Sequence, residues 1–132
     1  MMKVLAPIVV AAHGIGFTMW FLAAWVPGIS VTPTPGHALL ADDIAITSPI
    51  GKVAGLVSLA VVVGFLLVAL GMFTGASWWP ALAVVTAVIS TAIVVVPWWS
   101  VVPVMSAIGA LAVNALLIAF ALVPAWNETL AH

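Results

Sequence analysis

Between Asp43 and Glu128 the sequence carries a single formal charge, Lys52. A fold built from so long a charge-poor stretch has no means of covering itself with a water-compatible surface. The rest of the chain supplies few more charges. Its 132 residues include two basic and three acidic side chains, and 67% are hydrophobic, against roughly 45–50% in soluble domains. There is no cysteine, no basic patch and no low-hydrophobicity tract. Disulfide scaffolds, nucleic-acid binding and disorder are thereby excluded. The chain reads as an all-α, polytopic membrane protein.

Four apolar runs are long enough to approach the roughly 20 residues that a helix needs to cross a bilayer. They predict helices over 7–26, 49–73, 80–96 and 103–123, joined by one long extramembrane loop, 27–48, and two short turns. Proline and glycine punctuate the runs. Pro7 and Pro27-Gly28 bracket the first; Ser48 supplies an N-cap for the second, with Pro49 at its first turn and Thr74-Gly75 at its end. Trp78-Trp79 and Pro97-Trp98-Trp99 flank the third at about one bilayer thickness, the spacing of interfacial aromatic belts. Trp25 and Trp126 lie near the ends of the first and fourth runs. The runs are continuous and too few for a membrane β-barrel, which needs at least about eight short alternating strands.

The expected architecture is a single domain over 1–132, a four-transmembrane-helix antiparallel bundle. The start, Met1-Met2-Lys3 before an apolar run, resembles a signal peptide but lacks a small-x-small cleavage site, so it is read as a retained first helix. An even number of spans puts both termini on one face, and Lys3 favours the cytoplasmic side for them. In the long loop, Thr32-Pro33-Thr34-Pro35-Gly36 is expected to be extended and 37–46 to form an interfacial helical turn.

Ionisable groups at membrane depth point to function by default, and His13 is the one placed well inside a predicted span, Lys52 lying at the end of its own. Helical spacing puts Gly16, Phe17, Trp20 and Ala24 on its face. Asn114, on a ridge with Ser106 and Ala110, lies at similar depth in the fourth helix, so the two side chains meet if those helices are neighbours. Two readings stay open for His13: a neutral imidazole bonded to a neighbouring helix, or the wall of a ligand site made with Phe17, Trp20 and Asn114. Thr86, Ser90 and Thr91 are weaker candidates, since their hydroxyls can bond to their own helix.

Gly51 and Gly55 form a close-contact step in the second helix, within the bundle or between chains, continued by Gly64 and Gly71. A homo-oligomer or membership of a larger membrane complex is expected, with the lipid bilayer as surroundings. No metal site is assigned, because His37 and His132 fall outside the spans and Asp42-Asp43 point apart. No carboxylate lies inside a span for ion-coupled transport, no nucleophile and base converge, and no catalytic residue or cofactor is assigned.

Ala12-His13-Gly14-Ile15-Gly16 and Phe21-Leu22-Ala23-Ala24-Trp25, with Ser48-Pro49-Ile50-Gly51, Trp78-Trp79, Ser90 and Pro97-Trp98-Trp99, resemble a group of small bacterial and archaeal membrane proteins. The layout is broadly similar to DoxX-type four-helix membrane proteins. Relatives of the first group carry a second polar residue, often histidine, where Phe17 stands here, so the resemblance implies no two-ligand metal site. It implies the fold and location in a prokaryotic cell membrane, and no activity. The function expected is a non-catalytic bundle that binds a hydrophobic small molecule or lipid, or an accessory subunit of a membrane complex. The alternative is a membrane redox protein or enzyme using His13 with a quinone or haem.

Overall fold

The computed structural model describes residues 2–29, 45–96 and 104–124. Among them are five helical segments and no strand: α1 (Met2–Gly16), α2 (Thr18–Trp25), α3 (Pro49–Thr74), α4 (Trp79–Val95) and α5 (Val104–Leu122). The extended and interfacial parts of the long loop, with His37, Asp42 and Asp43, lie outside the described residues, as do Trp98, Trp99, Trp126 and His132.

α1 and α2 make one rod with a hitch at Phe17, where a continuous helix was expected. There the backbone tightens to i−3 bonds: Phe17 N–H donates to Gly14 C=O at 3.0 Å and Trp20 N–H to Phe17 C=O at 3.2 Å. Glycines at 14 and 16 lower the cost of leaving the α-helical ladder, the usual origin of such a break. The rod also begins at Met2, so Pro7 is an interior residue rather than the first turn. Its ring removes the hydrogen bond to Lys3 and leaves the helix otherwise intact.

α3 starts as its sequence dictates. Ser48 Oγ accepts from Gly51 N–H at 3.1 Å and Pro49 opens the helix. It ends on Gly75, whose φ of 68° is the left-handed cap that glycine adopts without strain. A short turn then leads directly into α4.

α3 is the central rod, packed against α1 and α2 on one side and α4 on the other, while α5 packs on α4. Helix association in lipid draws little on hydrophobic driving force and much on close packing. The glycines of α3 provide it. A Cβ on Gly55 would lie 2.9 Å from Ala24 Cβ, one on Gly64 2.7 Å from Thr86 Oγ1, and one on Gly71 2.6 Å from Trp79 Cβ. Gly51 is closed off by the Ile46 carbonyl. The Gly51/Gly55 step is therefore consumed inside the chain. Trp79 is 1% exposed, a core residue beneath Gly71 rather than a belt residue, while its neighbour Trp78 is exposed.

At the opposite end, Trp25 Nε1–H donates to the Lys52 carbonyl at 3.0 Å and the Lys52 ammonium lies 5.3 Å from the indole centre. That contact ties the end of α2 to the start of α3 through a hydrogen bond and a cation–π pair.

The outside of this bundle is apolar. Ile8, Ile15, Val53, Leu70, Phe73, Val85, Ile108 and Leu116 are all exposed. Three rods, Lys3–Trp25, Pro49–Thr74 and Met105–Leu122, are long and apolar enough to cross a membrane. α4, with 17 residues, is shorter at about 26 Å.

Candidate functional site

His13 reaches the middle of the bundle from α1 and Asn114 reaches it from α5. Their side chains meet, His13 Nε2 standing 2.9 Å from Asn114 Oδ1. Asn114 is 1% exposed, and its amide nitrogen donates to Ser90 Oγ at 2.7 Å and Thr91 Oγ1 at 3.0 Å. Ser90 in turn donates to the Ala87 carbonyl at 3.0 Å. One polar chain thus runs from α1 through α5 to α4. It satisfies groups that in an apolar interior would each cost several kcal/mol if left bare, and among the described residues no buried side-chain nitrogen or oxygen lacks a partner.

Aromatic rings hold the imidazole in place. Phe17 meets it edge-on with centroids 5.4 Å apart, and Phe65 of α3 does so at 5.0 Å. Gly14 makes this approach possible, because a Cβ there would fall 2.6 Å from Phe65 Cβ. The hitch at Phe17 falls beside this contact, so the sequence Gly14-Ile15-Gly16-Phe17 both bends the rod and seats the histidine.

Of the residues expected at the site, His13, Phe17 and Asn114 are brought together. Trp20 is buried in the core one turn beyond Phe17. Gly16, expected on the same face, is exposed with open space around it and lines nothing. Ser90 does bond to its own helix, as expected for a weaker candidate, yet it also accepts from Asn114. Phe65 escaped notice, since nothing in a run such as Gly64-Phe65-Leu66-Leu67 marks one apolar residue as the wall of a polar site.

Next to the pair the bundle is not closed. α1 and α5 meet through His13 and Asn114 without packing closely along their length. An entirely apolar groove of about 250 Å³ remains between them, bordered by Leu5, Val9 and Val10 of α1, Met72 of α3, and Val113, Leu117 and Phe120 of α5. Neither His13 nor Asn114 borders it, although Val10 lies three residues before His13 and Leu117 three after Asn114. A second groove of about 280 Å³, between α3 and α4, has Thr86 as its one polar side chain. Among the described residues no three histidine, cysteine, aspartate or glutamate side chains gather as a metal site would require. The chemistry available at the centre is that of one imidazole, one amide and two hydroxyls.

These features define a helical bundle with an apolar exterior, an internal polar link and a separate apolar groove between α1 and α5. Comparison with family models, with curated proteins and with solved structures finds no match for the chain.

Proposed function

We propose that the chain is a membrane-embedded four-helix bundle of a prokaryotic cell membrane that holds a small hydrophobic molecule in the groove between α1 and α5. The observation that carries this reading is the groove itself, apolar on every wall and open between α1 and α5. Pockets for small molecules are mostly apolar and concave, and the His13–Asn114 link, locked by Ser90 and Thr91, joins α1 to α5 about one helical turn from the groove's lining residues Val10 and Leu117. The volume suits a compact molecule rather than a whole phospholipid. The apolar exterior supports residence in lipid, since exposed apolar area on this scale requires lipid or a partner.

In this reading both termini face the cytoplasm, by the Lys3 charge bias, and the relationship to DoxX-type proteins rests on the sequence motifs. Any homo-oligomer or larger complex must use a surface other than the Gly51/Gly55 step, which α2 and Ile46 occupy.

Native mass spectrometry of the full chain released from mild detergent tests the proposal. The expected result is a retained hydrophobic mass on the wild type that is lost from a folded Val9→Trp variant, whose indole fills the groove. A wild-type protein that carries no mass beyond detergent and lipid, or a Val9→Trp variant that keeps the same mass, would overturn it.

A further inference from the structure

Among the described residues four polar side chains are buried: Ser58, Thr86, Ser90 and Asn114. Three of them have partners. Ser58 Oγ donates to the Gly55 carbonyl at 2.7 Å, Ser90 Oγ to the Ala87 carbonyl at 3.0 Å, and Asn114 links His13 to Ser90 and Thr91. Thr86, only 4% exposed, makes no hydrogen bond to the described residues. Hydroxyls inside helices ordinarily turn back to a carbonyl one turn earlier, as Thr74 does to Leu70 at 2.9 Å. Thr86 does not. Its Oγ1 lies instead over Gly64 of α3, 2.7 Å from where a Cβ would stand there.

This hydroxyl has open space beside it. No sealed side-chain oxygen among the described residues lacks a partner, so Thr86 Oγ1 is not sealed. The space that Thr86 borders is the groove of about 280 Å³ between α3 and α4, whose other walls are Leu56, Val57, Ala60, Val61 and Ile89. On α3 these residues all precede Gly64, and on α4, which runs the opposite way, Ile89 lies beyond Thr86. Thr86 thus stands at one end of an otherwise apolar groove, with Gly64 beside it.

We infer that this groove is a second ligand site, separate from the one between α1 and α5, and that it takes compact hydrophobic ketones whose carbonyl accepts a hydrogen bond from Thr86. The hydroxyl hydrogen is the group that most needs a partner, because buried donors go unpaired less often than oxygen lone pairs do. A ketone dissolved in hydrocarbon has the complementary need: its oxygen accepts and finds no donor there. Hydrocarbons of the same shape fill the walls but leave the hydroxyl unmatched. Thr86 is seven residues after Trp79 and nine before Val95, about 10 Å and 14 Å from the ends of α4. At that depth the ester carbonyls of phospholipids, which stay at the edge of the hydrocarbon core, do not reach it. A free ketone does.

The test uses the full chain in detergent with two probes of one shape, 4-ethylacetophenone labelled with ¹³C at its carbonyl and the hydrocarbon 1-ethyl-4-isopropylbenzene. Relative to their partition into empty micelles, the ketone should bind at least about threefold more tightly than the hydrocarbon. Its carbonyl resonance should move to higher frequency on binding, as an accepted hydrogen bond requires. Thr86→Val, which keeps the shape and removes the hydroxyl, should abolish that shift and equalise the two affinities, whereas Thr86→Ser should retain both effects. Ala60→Trp, which fills the groove, should abolish binding of both probes, and Val9→Trp should leave it unchanged. A carbonyl shift that survives in Thr86→Val, or equal binding of the two probes to wild type, overturns the inference. Binding lost in Val9→Trp and kept in Ala60→Trp also overturns it, and places the ketone between α1 and α5 instead. So does a wild-type dimer that binds neither probe and becomes a monomer in Ala60→Trp, since a second copy then fills the groove.

Discussion

Replacing Asn114 by leucine should strand His13, and the size of that effect follows from the bonds present. Asn114 makes three hydrogen bonds to other helices: one to His13, one to Ser90 and one to Thr91. Such bonds between membrane helices average about 0.6 kcal/mol each, so their loss amounts to about 2 kcal/mol. The N–H of His13 is then left among Phe17 and Phe65, which adds roughly 1–3 kcal/mol. His13→Leu removes one bond and leaves the Asn114 oxygen bare, a loss of about 1–2 kcal/mol. In the double variant neither group is stranded. Its loss should fall short of the sum of the singles by at least about 1 kcal/mol, and it should be no less stable than Asn114→Leu alone. Reversible unfolding in mixed micelles, run as a double-mutant cycle, measures this coupling. Additive losses, within the roughly 0.5 kcal/mol seen for independent sites, would refute the link between α1 and α5.

Other outcomes follow from the packing. Gly14→Ala, with its Cβ 2.6 Å from Phe65 Cβ, should cost about 1–3 kcal/mol, whereas Gly16→Ala, in open space, should be neutral or stabilising; melting of the two variants side by side checks the pair. Gly55→Leu should lower stability without changing the particle mass in light scattering, because Ala24 and Trp25 already occupy that face. Cysteines placed at Lys3 and Ile29, at opposite ends of the first rod, should label from opposite sides of sealed vesicles; labelling from one side contradicts a spanning first rod.

The helices were legible in the sequence because their signals are local. Ser48, Pro49 and Gly75 act on the few backbone groups next to them, and each does in the structure what its chemistry requires. The meeting of His13 and Asn114 was legible from a scarcity argument: two polar groups at one depth in an apolar chain need partners. What escaped depends on neighbours. The hitch at Phe17 falls beside Gly14, whose missing side chain is filled by Phe65 of another helix, a contact that no local pattern announces. Trp79 and Trp78 are adjacent and chemically identical and both touch Gly71, yet one is buried and the other exposed, which depends on where the first turn of α4 meets α3. The groove could not be read at all, since it results from α1 and α5 each packing on other rods and leaving a gap between themselves.

The most direct measurement is to map where a small hydrophobic molecule sits in native membranes. A short alkyl-phenol bearing a diazirine, cross-linked by light to the full chain and located by peptide mass spectrometry, reports this residue by residue. If the groove holds such molecules, the label falls on Leu5 to Val10 and on Val113 to Phe120, and excess unlabelled 4-butylphenol removes it. Label spread evenly over the exposed faces of α3 and α4, at Val53, Leu70 or Val85, and unaffected by competitor, would contradict a binding site between α1 and α5.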